Sequence, residues 1–368
     1  MVSALTRTIV KVGSSLLVTP TGDVRRDWLT SLVADIAKRH AGGEQIAIVS
    51  SGAIALGARR LGLPKGGRAS LDDAQAAAAT GQIALSQCWA ELLEGQGITA
   101  AQILVTLDDL EDRRRYLNAS ATLERLLGLG VIPIINENDS VATTEIRFGD
   151  NDRLAARIGQ ACNAQTIILL SDVDGLFTSD PGKDASAKRV ETVKRIDARI
   201  LAMAGGGTSS GMGSGGMASK LEAARIANAA GADLVIVSGQ HDHPLDRLGA
   251  GGCGTRFIAA STSRPRKAWL AGRLTVRGNI HVDAGAVKAL RGGASLLPAG
   301  AARAEGRFER GDVVNIIGPE GDAIARGLAE YDIADAQAIC GKRSDALEAV
   351  LGYAPRPALI HRDHMVML

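Results

Sequence analysis

The chain has 368 residues and a nearly balanced charge, 42 Lys and Arg against 40 Asp and Glu. That length has room for two domains, and the balance excludes the global basic field that holds nucleic acid or an anionic membrane. The chain is 46% hydrophobic, enough for a large core, and its 44 glycines, where average usage gives roughly 26, mark particular backbone positions rather than disorder.

Short aliphatic runs at 8–12, 45–49, 101–105, 131–135, 165–170 and 233–237 read as strands buried on both faces. Between them, 28–40, 72–94, 112–128, 153–163 and 220–230 carry helical spacing and are rich in Ala, Leu and Arg. The alternation predicts an α/β domain with a doubly wound, mainly parallel sheet over residues 1–260. Residues 261–273, STSRPRKAWLAGR, read as a linker. From 274 onward, short alternating segments at 279–282, 313–317, 323–327 and 358–360 and one helix at 344–351 lie between Gly and Pro turns. They predict a small, mostly β domain over 274–355 and a tail over 356–368. Four scattered cysteines without a CxxC pairing suggest neither a disulfide framework nor a zinc site and suit a cytoplasmic protein. No apolar run approaches a membrane span or a signal-peptide core.

The loops after the strands carry the chemistry. Gly13-Ser14-Ser15, Ser50-Ser51-Gly52, Asn136 to Asp139, Ser171-Asp172 and Ser238-Gly239 each follow a predicted strand. In an open parallel sheet all of them fall on the carboxyl edge, where ligands bind. The stretch GGGTSSGMGSGGMASK at 205–220 ends in Lys220 at the start of a helix, a pattern that offers bare amides and a point charge to a phosphate. No GxxxxGK[ST] occurs, which excludes a P-loop enzyme. Lys11, inside a buried strand, calls for an anionic partner. Glu137, Asp139, Asp150 and Asp152, with Asn136, Asn138 and Asn151, exceed what helix capping needs. They could hold an ammonium group, position a lysine, or face Mg²⁺ through water. His241 and His243 read as a solvated turn before Pro244.

Six segments in this order, IVKVGSSLL (9–17), VSSGAIALG (49–57), IINENDSV (134–141), FGDNDRLAA (148–156), SDVDGLFTSDP (171–181) and GMGSGGMASK (211–220), resemble the amino acid kinase family. GASLLPAG (293–300), RGDVVNI (310–316) and LGY (351–353) are similar to the PUA domain that many members carry. The resemblance implies ATP-dependent phosphorylation of the side-chain carboxylate of L-glutamate to L-glutamyl 5-phosphate, the first step of L-proline biosynthesis. Carried over by motif, Lys11 and Lys220 flank the transferring phosphoryl group, and Ser51, Gly52, Asn136, Asp139 and Asn151 bind glutamate. Ser171, Asp172 and Lys11 contact the nucleotide, and Ser214, Gly215, Gly216, Met217, Ala218, Ser219 and Lys220 hold the ATP phosphates. Asp152 is expected to align the two lysines, with Asp150 as the second candidate. Where the family pattern has Thr, this chain has Ser50, Ser171, Ser214 and Ser219, which keep the hydroxyl.

The resemblance also implies Mg²⁺ with ATP, feedback inhibition by L-proline, and a homo-oligomer, dimer or tetramer, with no residue assigned as a direct metal ligand. The alternatives are an RNA-binding PUA protein, or a sister kinase acting on another carboxylate. Over 274–355, nine Lys and Arg face eleven Asp and Glu, the wrong sign for phosphate contacts.

Overall fold

The computed structural model describes residues 6–19, 21–141, 151–204, 216–259 and 276–368. Their contacts divide the chain into two units, 1–111 with 118–261 and 112–117 with 262–368.

As far as residue 257 the described chain alternates strands and helices. It runs β1 (Arg7–Val12), α1 (Ser14–Leu17), α2 (Arg26–Ala41), β2 (Gln45–Ser50), α3 (Ala53–Leu61), α4 (Leu71–Glu94), β3 (Ala100–Val105), α5 (Leu107–Glu111) and α6 (Arg113–Gly128). There follow β4 (Ile132–Glu137), α7 (Asn151–Ala161), β5 (Thr166–Ser171), β6 (Thr192–Val193), α8 (Ala198–Ala202), α9 (Met217–Ala229), β7 (Asp233–Ser238), α10 (Pro244–Gly249) and β8 (Gly254–Phe257). The strand order is β3-β4-β2-β1-β5-β7-β8-β6, and every pairing is parallel except β7 with β8.

The central strands are continuous apolar runs because helices cover both faces. Val10, Ile48, Leu169 and Ile236 are fully buried. Beyond β4 the chain passes to β5 on the other side of β1, so the direction of sheet growth reverses there. The crevice beyond the carboxyl ends of β1, β2 and β5 is thus a topological switch point. The helices α3 and α4 cross with their backbones in contact. A Cβ on Gly57 would overlap the Ala77 carbonyl, and one on Gly81 the Ala53 carbonyl.

The second unit holds β9 (Gly278–Val282), β10 (Ala301–Gly306), β11 (Val313–Ile317), β12 (Ala323–Leu328) and β13 (Met365–Met367), in the order β10-β9-β11-β12-β13. Its core gathers Ile280, Phe308, Ile316, Tyr331 and Leu359.

Several elements differ from the sequence reading. The apolar triplet at 358–360 forms only an isolated bridge, Ile360 with Leu296, while the strand forms at Met365–Met367 in the expected tail and pairs with β12. The antiparallel β8 was not foreseen because Gly254-Thr255-Arg256-Phe257 is short and polar. Two helices begin earlier than their apolar spacing indicates: α7 at Asn151 and α9 at Met217. Asn151, Asp152 and Lys220 therefore lie in first turns.

Candidate active site

Three buried ionised side chains converge on the switch point. Lys11 ends one residue short of the tip of β1, Asp152 sits in the first turn of α7, and Lys220 closes the first turn of α9. The Lys11 Nζ lies 2.7 Å from Asp152 Oδ1 and the Lys220 Nζ 3.0 Å from Asp152 Oδ2. Burial pushes the Asp152 carboxyl up, but the two lysines outweigh it and hold the carboxyl below the ordinary carboxylate value. Asp152 is wholly buried and each lysine nearly so, at 6% and 5% exposure. Among the described residues the bridge joins two cations to one anion, and buried cations are stabilised by the anions that meet them. This arrangement is suited to a negatively charged group arriving at the sheet edge.

Beside it lies a polar network. Asn151 Nδ2 donates to Ser51 Oγ at 2.7 Å and to Asn136 Oδ1 at 3.1 Å. Asn136 Nδ2 donates to Gln82 Oε1 at 2.8 Å, and Trp89 Nε1 donates to Ser50 Oγ at 2.9 Å. Gly52 caps α3 with φ at +107°, which only glycine tolerates without strain, and so turns the chain sharply after Ser51. Asp139 is half-buried in the turn after β4. Burial pushes its carboxyl up to about 6, with the Arg68 guanidinium pulling against it.

On the other flank, Ser171 ends β5 and its hydroxyl bonds Asp172 Oδ1 at 3.1 Å, while Gln240 Nε2 donates to the Asp172 carbonyl at 2.9 Å. Gly216 is the N-cap of α9 and brings no side-chain cap, so the first-turn N–H groups of Met217 and Ala218 have no hydrogen-bond partner among the described residues. Ser219 Oγ is buried without a hydrogen-bond partner among the described residues. An orphaned hydroxyl, an uncapped helix start and a lysine in one turn fit a polyphosphate. The predicted residues Asp150, Ser214 and Gly215 lie outside the described residues.

Not every polar feature belongs to this edge. A cleft of about 860 Å³ opens at the amino ends of β1 and β5, lined among others by Thr8, Arg39, Glu44 and Arg256, and contains none of the predicted residues. The site is assigned by where buried charge converges, not by volume. His243 is not a free turn residue: its Nδ1 lies 2.7 Å from the buried Asp35, which also accepts from the Leu245 N–H at 3.0 Å and so anchors the start of α10. Among the described residues, no three His, Cys, Asp or Glu side chains are grouped to hold a metal ion.

Gln82, Trp89 and Arg68 were missed by motif reasoning. A signal for Gln82 was present: positions 74, 77, 78, 81, 82, 85, 88 and 89 form the buried stripe of α4, and Gln82 is its one amide.

The amino acid kinase family model matches residues 6–238, which contain Lys11, Asp152, Lys220 and the polar network beside them. The chain belongs to the amino acid kinase family. A PUA domain model matches residues 278–351, so the family's α/β fold, with its mainly parallel sheet, is followed by a mostly β PUA domain. Among relatives of this family member, the glutamate 5-kinase of Sphingopyxis alaskensis is 65% identical over 98% of this chain and 97% of its own length. That of Zymomonas mobilis is 62% identical over 98% of this chain and 91% of its own. A solved carbamate kinase from Giardia lamblia bound to AMP-PNP covers 70% of this chain and 99% of its own with a TM-score of 0.50 at 18% identity, a likeness of fold alone. No described helix of this family member is long and apolar enough to cross a membrane.

Proposed function

We propose that this chain transfers the γ-phosphoryl group of ATP to the side-chain carboxylate of L-glutamate, giving L-glutamyl 5-phosphate and committing glutamate to L-proline synthesis. The observation that carries the reading is the buried Lys11–Asp152–Lys220 bridge, in a chain 65% identical to a glutamate 5-kinase.

The chemistry follows from charge. A glutamate side chain, with a pKa of about 4.3, is ionised at neutral pH, so its oxygen attacks without a general base. A carboxylate O–P bond forms, the bond from Pγ to the bridging oxygen of ADP breaks, and no proton moves. What must be overcome is repulsion between an anion and a polyanion. Lys11 and Lys220 lie on either side of the transferring group, and Asp152 holds both in place. With its carboxyl held low by two ammonium groups, Asp152 is a poor proton acceptor and acts by position. Mg²⁺ bound with ATP would supply further neutralisation of phosphate charge.

Ser51, Gly52, Asn136, Asp139 and Asn151 form the glutamate side of this reading. Ser51 Oγ accepts from Asn151, which frees its own hydrogen for the substrate α-carboxylate, and the Asp139 carboxylate meets the α-ammonium. Ser171 and Asp172 face the nucleotide, and the chain from Ser214 to Lys220 takes the phosphates. L-Proline carries the same α-carboxylate and a protonated nitrogen, and would inhibit from this subsite. We take residues 1–260 as the catalytic domain and 274–355 as the PUA domain joined by 261–273, in a cytoplasmic homo-oligomer.

The test is hydroxylamine trapping of an acyl phosphate with ATP and Mg²⁺ over a panel of L-glutamate, L-aspartate, N-acetyl-L-glutamate and carbamate. Hydroxamate from L-glutamate alone is the expected result. Product only from another acid would overturn it.

A further inference from the structure

The hydrogen bonds around Asn136 have one consistent direction. The backbone N–H of Glu137 donates to Asn136 Oδ1 at 2.9 Å, and a backbone N–H has no other role, so that oxygen is fixed. The Asn136 amide nitrogen must then face Gln82, and Gln82 must answer with its oxygen, at 2.8 Å. The other end of the Gln82 amide donates to Ser86 Oγ at 3.2 Å, and the Ser86 hydroxyl spends its hydrogen on the Gln82 carbonyl one turn back, at 2.8 Å. At the far end, Asn136 Oδ1 accepts from Asn151 Nδ2 at 3.1 Å, which leaves Asn151 Oδ1 as that side chain's acceptor.

Resting on the glutamate-kinase reading, we propose that Gln82 is a positioning residue whose amide, together with the Glu137 N–H, holds the Asn136–Asn151–Ser51 chain in its one polarity and so supports the site's preference for an α-amino acid. The ordered chain presents an acceptor, Asn151 Oδ1, for an ammonium group and a donor, the Ser51 hydroxyl, for a carboxylate. Were Asn136 to turn over, its NH2 would meet the Asn151 NH2, and Asn151 would have to present its own NH2 to the ammonium. Gln82 is buried on α4 and reaches this chain because Gly57 and Gly81 bring α3 and α4 into backbone contact. It contacts neither lysine of the phosphoryl bridge, so its loss bears on glutamate recognition and not on transfer.

The experiment measures kcat and both KM values by hydroxamate formation in the full chain and in Gln82→Met, Gln82→Glu and Ser86→Ala, with a thermal melt of each. Gln82→Met keeps the size but removes the acceptor, leaving the Asn136 amide unsatisfied, and is expected to raise the KM for L-glutamate about tenfold with kcat and the KM for ATP within about twofold. Gln82→Glu, which keeps an oxygen toward Asn136, is expected to stay within about threefold of the parent KM, and Ser86→Ala to raise it about threefold. The proposal is overturned if Gln82→Met keeps the parent KM for L-glutamate, or if kcat falls and both KM values move together. Should Gln82→Met not fold, an unchanged glutamate KM in Ser86→Ala is the overturning result. A parent chain that gives no hydroxamate with L-glutamate refutes the proposed function instead.

Discussion

Replacing Asp152 by Asn tests the bridge that carries the functional reading. In the parent, one carboxylate lies 2.7 Å from one ammonium and 3.0 Å from another. At an effective dielectric of about 20, each contact is worth about 6 kcal/mol of Coulomb attraction, offset by several kcal/mol of desolvation for each buried ion. Asparagine can accept from one lysine only and turns its NH2 toward the other. Removing one partner of a buried ion pair costs about 3–5 kcal/mol, here because two ammonium groups lose their common counter-charge. We expect the unfolding free energy to drop by about 3 kcal/mol in urea titrations. We also expect kcat to fall about 100- to 1000-fold, because the lysines no longer sit where phosphoryl charge develops. The KM for glutamate should move less than about threefold, since the Ser51–Asn151–Asn136 chain does not pass through Asp152. Hydroxamate assays at saturating ATP and glutamate separate these parameters. A variant that melts earlier yet keeps kcat within about threefold would show that Asp152 only holds the fold together, and the aligning role would be lost.

Lys220→Ala removes the cation proposed to face the phosphates and should abolish hydroxamate formation; retained turnover would contradict the role. Asp139 has its carboxyl pushed up to about 6, and the neutral form cannot hold an ammonium, so the glutamate KM should climb as pH falls below about 6. Asp139→Asn should show a high KM without that pH dependence. Raised above its ordinary value, Asp139 contributes stability that is present below 3.8 and is lost as pH rises through about 6. Asp152 has the opposite sign: its stabilisation is complete above the ordinary value of 3.8 and is lost as pH falls through its lower folded value. Acid titration of Asp152→Asn against the parent measures that term. Gly81→Ala would drive a methyl into the Ala53 carbonyl and should cost about 3 kcal/mol or more in a urea melt.

The strands were legible because a sheet covered on both faces leaves unmistakable aliphatic runs, and Thr8 to Val12 or Gln165 to Leu170 needed no tertiary information. Lys11, Asp152 and Lys220 were legible as motif members. Their convergence was not, since it depends on α7 starting at the polar pair Asn151-Asp152 and on α9 starting at Met217, straight out of a glycine-rich run that reads as loop. Polar first turns look like loop in a sequence. Gln82 and Trp89 escaped for another reason: each bonds a residue more than thirty positions away, and nothing local on α4 names Asn136 or Ser50 as the partner. The strand Met365–Met367 was lost because it is three residues long and draws its stability from pairing with β12.

A single carboxylate shared by two lysines also couples their mobility. Neither ammonium can shift without dragging the aspartate and, through it, the other ammonium, so β1, α7 and α9 carry one composite cation rather than two adjustable ones. Substitutions that tilt any of these three elements should therefore change both lysine positions together.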